Sequence, residues 1–174
     1  MNKNVMALLS VTTCAVGLTA STAFSGEIPM GDMTMGVPQN ATEEEITFGA
    51  PGQADAVTRT ITVTMQDLAY DLKNIKAKDG ETIRFIIINK DDVGHEFTMG
   101  TAEMNASDRE KMAKMMDMGQ EMSMAGEANA VTVLPQQTKE LVWTFKGPSQ
   151  IEFACNIPGH FESGMKGKIM IMKQ

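Results

Sequence analysis

Near the C-terminal end of the chain stands Cys155-Asn156-Ile157-Pro158-Gly159-His160-Phe161-Glu162-Ser163-Gly164-Met165, which sets a thiol, an imidazole and a thioether at C-x4-H-x4-M spacing. A second imidazole, His95, lies sixty residues upstream. A thiolate, two imidazoles and a thioether are the donor set of a mononuclear type 1, or blue, copper centre. Thiolate and thioether are soft and suit Cu(I), whereas imidazole serves both oxidation states. A trigonal His2Cys site with a weak axial Met is a compromise between the geometries the two states prefer, so little has to move when an electron moves. Zinc is the chemical rival. Structural zinc favours four Cys or His ligands over a thioether, so copper is the better match.

Each of these residues has an ordinary reading on its own. A lone histidine is usually a satisfied polar residue, a methionine is usually core, and a buried thiol is usually inert. Their scarcity is what makes the set informative, because the chain has two histidines and two cysteines in all. One cysteine, Cys14, falls in a segment with the marks of a secretory signal. Met1-Asn2-Lys3-Asn4 carries one positive charge, Val5 to Ala20 is apolar or small, and Ser21-Thr22-Ala23 closes it with a small-x-Ala pattern. Residues 1–23 are therefore read as a signal peptide that directs export to the periplasm. The apolar run is too short and too rich in Ser and Thr for a comfortable membrane span. Val11-Thr12-Thr13 is a poor lipoprotein signal ahead of Cys14.

After cleavage the lone thiol, Cys155, cannot form an internal disulfide. One copper per chain then uses the cysteine and both histidines. None is left for a catalytic copper, so the chain is not expected to be an enzyme. The remaining chain has 14 basic and 22 acidic residues, which argues against nucleic acid as a partner. An acidic surface points instead to a basic redox partner, such as a c-type cytochrome, or to a copper-handling protein. The protein is expected to be a monomer.

The elements that must carry the four ligands follow from the hydrophobic pattern. Residues 24–56 are rich in Gly, Pro, Met, Glu and Asp without a sustained period, which predicts a flexible leader. The domain proper is placed at residues 57–174. Thr58 to Met65 alternates, with Ile61, Val63 and Met65 on one face, and Thr82 to Asn89 reads as a buried strand. Lys78-Asp79-Gly80-Glu81 is a turn. His95 to Met99, Val131 to Leu134, Lys139 to Phe145, Gln150 to Cys155 and Lys166 to Met172 are further strands, with Trp143 and Phe145 as core. An insertion at about 104–126 differs: Ser107 and Glu110 form a capping box for a helix running to about Met118. Asp108, Arg109, Glu110, Lys111 and Lys114 are its solvated face. Many short strands with regular turns predict an all-β sandwich.

The ligand pattern resembles the cupredoxin family, which includes plastocyanins, azurins and auracyanins. The likeness runs from about residue 58 to the C-terminus and is strongest over 150–172. It implies a Greek-key β-sandwich, a type 1 copper and single-electron transfer, and it carries the family's ligand roles onto His95, Cys155, His160 and Met165. Gly94-His95 is similar to the azurin pattern, which would make the Gly94 carbonyl a weak fifth contact. The His-to-Met spacing is one residue longer than in azurins and is similar to auracyanin. Glu96 stands where many members have an Asn that bonds to the cysteine-bearing loop.

Seventeen methionines is a high count. Met104, Met112, Met115, Met116, Met118, Met122 and Met124 crowd the insertion, with Met112, Met115, Met116 and Met122 expected on one helical face. Met30, Met33 and Met35 lie in the leader. Methionine fills irregular gaps, and exposed thioethers also gather Cu(I). Such clusters resemble those of periplasmic copper-tolerance proteins. Two roles are compatible with the one site. The first is a periplasmic single-electron carrier linked to copper tolerance. The second is a copper buffer or chaperone that binds additional Cu(I) through its methionines.

Overall fold

The computed structural model describes residues 46–120 and 126–174. The signal-peptide segment, Met30, Met33, Met35, Met122 and Met124 lie outside the described residues. No helix among those described is long and apolar enough to cross a membrane.

Among the described residues, ten strands and one α-helix build the domain: β1 (Gly49–Pro51), β2 (Arg59–Gln66), β3 (Ala69–Tyr70), β4 (Asn74–Lys78), β5 (Thr82–Asn89), β6 (His95–Gly100), α1 (Ala102–Asp117), β7 (Ala130–Val133), β8 (Thr138–Phe145), β9 (Ser149–Ala154) and β10 (Lys166–Met172). They form two five-stranded sheets, in the orders β1-β8-β5-β2-β3 and β4-β10-β9-β6-β7. The alternation in β2 and β10 sets the inward faces: Val63 and Met65 in one, Ile169 and Ile171 in the other, all buried between the sheets. Aromatic rings fill the middle of the sandwich. Phe97 lies 5.4 Å from Phe153 and 5.5 Å from Phe85, and Tyr70 lies 5.1 Å from Phe153. Truncating one such ring in a packed core costs about 3–5 kcal/mol. This rigid interior fixes β6 and β9, the strands that lead into the ligands. Gly167 of β10 allows the close approach, since a Cβ there would stand 2.1 Å from the Phe153 ring.

The structure departs from the sequence expectations at three places. The leader expected through residue 56 gives way to ordered structure earlier. β1 pairs antiparallel with β8, and Phe48 is buried with its ring 5.5 Å from that of Trp143. A three-residue edge strand is too short to show a period. The helix starts at Ala102, not after Ser107. Its N-cap is Thr101, whose hydroxyl accepts the Met104 N–H at 3.2 Å, and Ser107 sits within the helix. β6 thus passes into α1 with only Thr101 between them, leaving no loop that a turn residue would announce. The methionine face also divides: Met112 is fully buried, Met115 half-buried and Met116 exposed.

Candidate metal centre

His95 opens β6, and Cys155 follows the last residue of β9. The two strands pair directly, with Thr98 opposite Ala154, so both side chains emerge at the same end of one sheet. The loop from Cys155 to Met165 then closes on itself. The Met165 N–H donates to the His160 carbonyl at 3.1 Å, and the Cys155 N–H donates to the Met165 carbonyl at 3.1 Å. Gly159 and Gly164 turn it with φ of 85° and 97°, where an L side chain would be strained. Lys73 ties the loop down by donating to the Gly164 carbonyl at 2.9 Å. The backbone closure returns Met165, fully buried, to the side of Cys155 and His160.

The ligating atoms of His95, Cys155 and His160 lie within 4.8 Å of one another. The two Nδ1 atoms are 3.2 Å apart, and Cys155 Sγ is 3.3 Å from His160 Nδ1. His95 and Cys155 are fully buried, whereas His160 is half-exposed. Three such atoms converge on one point that a single ion can reach. The set of one thiol and two imidazoles, with a buried thioether on the same loop, fits copper by softness and by count.

The surroundings set the protonation states that an incoming metal would meet. Burial pushes the Cys155 thiol up to about 12, against the opposing effect of the Glu96 and Ile157 N–H groups. Without an ion it is therefore a neutral thiol, and binding must displace its proton. Burial, and then the neighbouring His95, hold His160 below the ordinary histidine value, which keeps it in the neutral form that can ligate. The Glu96 N–H donates to Cys155 Sγ at 3.3 Å. That backbone is itself held, since the buried Tyr70 hydroxyl donates to the Glu96 carbonyl.

Four neighbours had not been singled out as parts of this site. Asp91 accepts from His95 Nε2 at 2.7 Å. Asn105 of α1 accepts from Asn156 Nδ2 at 3.1 Å, next to Cys155. Arg109 of α1 stands 3.6 Å over the ring of Phe161, next to His160, and Lys166 stands 3.8 Å from the same ring. Arg109 therefore packs on the ligand loop rather than belonging to a purely solvated face. Asp108, only 8% exposed and paired with Lys111 at 3.0 Å, departs from that face too. The Glu96 side chain accepts from Thr132 at 3.2 Å, and a helix residue, Asn105, makes a side-chain link to the cysteine-bearing loop. Gly94 has open space where a Cβ would stand, so packing does not demand glycine there.

A β-sandwich with a buried thiol and two histidines converging at one end defines a copper-binding protein of the cupredoxin class. The family model for copper binding proteins of the plastocyanin/azurin family matches residues 56–172, and the chain belongs to that family. Among characterised relatives it is similar to the copper-resistant cuproprotein CopI of Pseudomonas aeruginosa, with 33% identity over 71% of this chain and 82% of that protein. It is likewise similar to the CopI proteins of Rubrivivax gelatinosus (36% identity; 76% and 78% covered) and Vibrio cholerae (32%; 87% and 91%). Among solved structures, auracyanin B shares the fold with a TM-score of 0.58 at 17% identity, covering 72% of this chain and 96% of that one. The reduced auracyanin of Roseiflexus castenholzii gives 0.56 at 24% identity, covering 66% and 98%.

Proposed function

We propose that this protein is an exported, periplasmic cupredoxin that holds one type 1 copper through His95, Cys155, His160 and Met165 and passes single electrons, in the service of copper tolerance. The observation that carries the reading is the convergence of the described chain's histidines and its thiol on one point. Copper there supplies one-electron Cu(I)/Cu(II) chemistry. The chain's own residues exclude water from His95 and Cys155, hold the loop closed, and leave His160 as the ligand nearest to solvent and to a partner. The acidic composition favours a basic partner, such as a c-type cytochrome or another copper-handling protein. No further histidine remains for a catalytic copper, so the role proposed is carriage and binding, not catalysis, by a monomer. The copper-resistant relatives support the link to tolerance.

A second reading has its own observation. Met116 and Met118, at the end of α1, are 56% and 63% exposed, where a packing role does not account for them. They favour a buffer or chaperone that gathers additional Cu(I). Deleting the gene tests the link to copper tolerance that both readings share. Copper sensitivity with normal respiration is expected for tolerance. Normal growth in copper with a respiratory defect would contradict it and leave electron carriage alone.

A further inference from the structure

The His95 ring has two nitrogens, and the structure gives them different tasks. Nδ1 faces Cys155 and His160 at the point of convergence, 3.2 Å from His160 Nδ1. Nε2 points the other way and lies 2.7 Å from Asp91 Oδ2. His95 is fully buried, and the Asp91 carboxylate is only 17% exposed, so solvent screens the pair weakly. A carboxylate that accepts a hydrogen bond must take it from an N–H. In the neutral ring the single proton then belongs on Nε2, which leaves Nδ1 with its lone pair toward the metal position.

Asp91 is held in turn from several directions. Its Oδ1 accepts the Asp67 N–H at 3.1 Å, its own N–H donates to Asn89 Oδ1 at 2.9 Å, and its carbonyl accepts from Gln136 Nε2 at 3.2 Å. Asp67, Leu68 and Gln136 all adopt positive φ, at 53°, 56° and 59°. Such backbone persists only where its surroundings enforce it. Both carboxylate oxygens are thus used, one on a strained turn and the other on the ring. An amide could accept at only one of these two points, because its second polar atom is a donor.

We propose that Asp91 is a positioning residue of the metal centre: it fixes His95 in the tautomer that offers Nδ1, and its negative charge favours Cu(II) over Cu(I). This inference rests on the copper reading of His95, and its first test does not. In the metal-free protein, long-range 15N–1H spectra of the imidazoles are expected to show the His95 proton on Nε2. A neutral His95 protonated at Nδ1 would overturn the assignment whether or not copper binds. In the copper protein, Asp91→Asn is expected to raise the ratio of Cu(I) to Cu(II) affinity about tenfold, an upward shift in potential of about 59 mV for one electron. Asp92→Asn, which removes a neighbouring charge without touching His95, is expected to shift it far less. Equal shifts in the two variants, or no shift in Asp91→Asn, would overturn the proposal. Asp91→Ala is expected to match the charge effect of Asn and to release copper faster as well. Should Asp91→Ala fail to fold, the Asn variants and the metal-free spectrum still decide. Failure of the wild-type protein to bind copper would sink the copper reading, and the tautomer would still be testable.

Discussion

Asn156, the residue after Cys155, donates its side-chain N–H to Asn105 of α1 at 3.1 Å, and both residues are fully buried. The helix that interrupts the sandwich after β6 is thereby fastened to the loop that carries three of the four proposed ligands. Arg109, one turn further along, fastens it again through Phe161. The methionine-bearing insertion and the metal centre are parts of one packed unit.

Breaking that link is expected to be felt at both ends. Asn105→Ala leaves the Asn156 amide buried without its acceptor, which costs about 1–3 kcal/mol. Urea unfolding of the metal-free protein should show the loss, and the visible spectrum of the Cu(II) protein should change with it. A destabilised variant with an unaltered spectrum would mean that the helix supports the fold without shaping the site.

The buried thiol gives the metal-free protein an alkaline weakness. The ordinary thiol value is 9.0, and in the folded chain it is raised to about 12. Above pH 9 the unfolded chain gives up this proton and the folded chain retains it, so the folded state binds more protons and stability falls with rising pH. Below pH 9 the contribution is fully present; it is lost progressively up to about 12. Three units correspond to on the order of 4 kcal/mol. Denaturant titrations of wild type and Cys155→Ala across that window should diverge by such an amount, with the variant showing the flatter profile. Parallel profiles would contradict the burial-raised thiol.

The exposed methionines bear on the buffering role. Replacing Met116 and Met118, together with Met30, Met33 and Met35, by Leu is expected to lower Cu(I) stoichiometry toward one per chain and to leave the Cu(II) spectrum unchanged. A single Cu(I) per chain in wild type under excess would refute accessory binding.

Much of this was legible in the residues. The strands with strong alternation, β2, β5, β8 and β10, were readable because one face of each is apolar over eight or seven residues. The loop from Cys155 to Met165 was readable because the donor types are rare and evenly spaced. β1, β3 and β4 were not, being two to five residues long and specified by pairing with strands distant in sequence. The true helix start was hidden because Thr101 caps without a signature, whereas Ser107 and Glu110 imitate one. Asp91, Asn105 and Arg109 carry no motif at all. Asp91 meets the His95 ring only because of how the loop between them turns, and Asn105 reaches Asn156 across 51 residues of chain, so only coordinates reveal their roles.

The most direct test of the central claim is the visible absorption of the purified Cu(II) protein. With Cys155 as ligand, an intense thiolate-to-copper band is expected in wild type and should vanish in Cys155→Ser. A Cys155→Ser protein that kept the band, or a wild-type copper protein without it, would contradict the assignment of His95, Cys155, His160 and Met165 as one copper site.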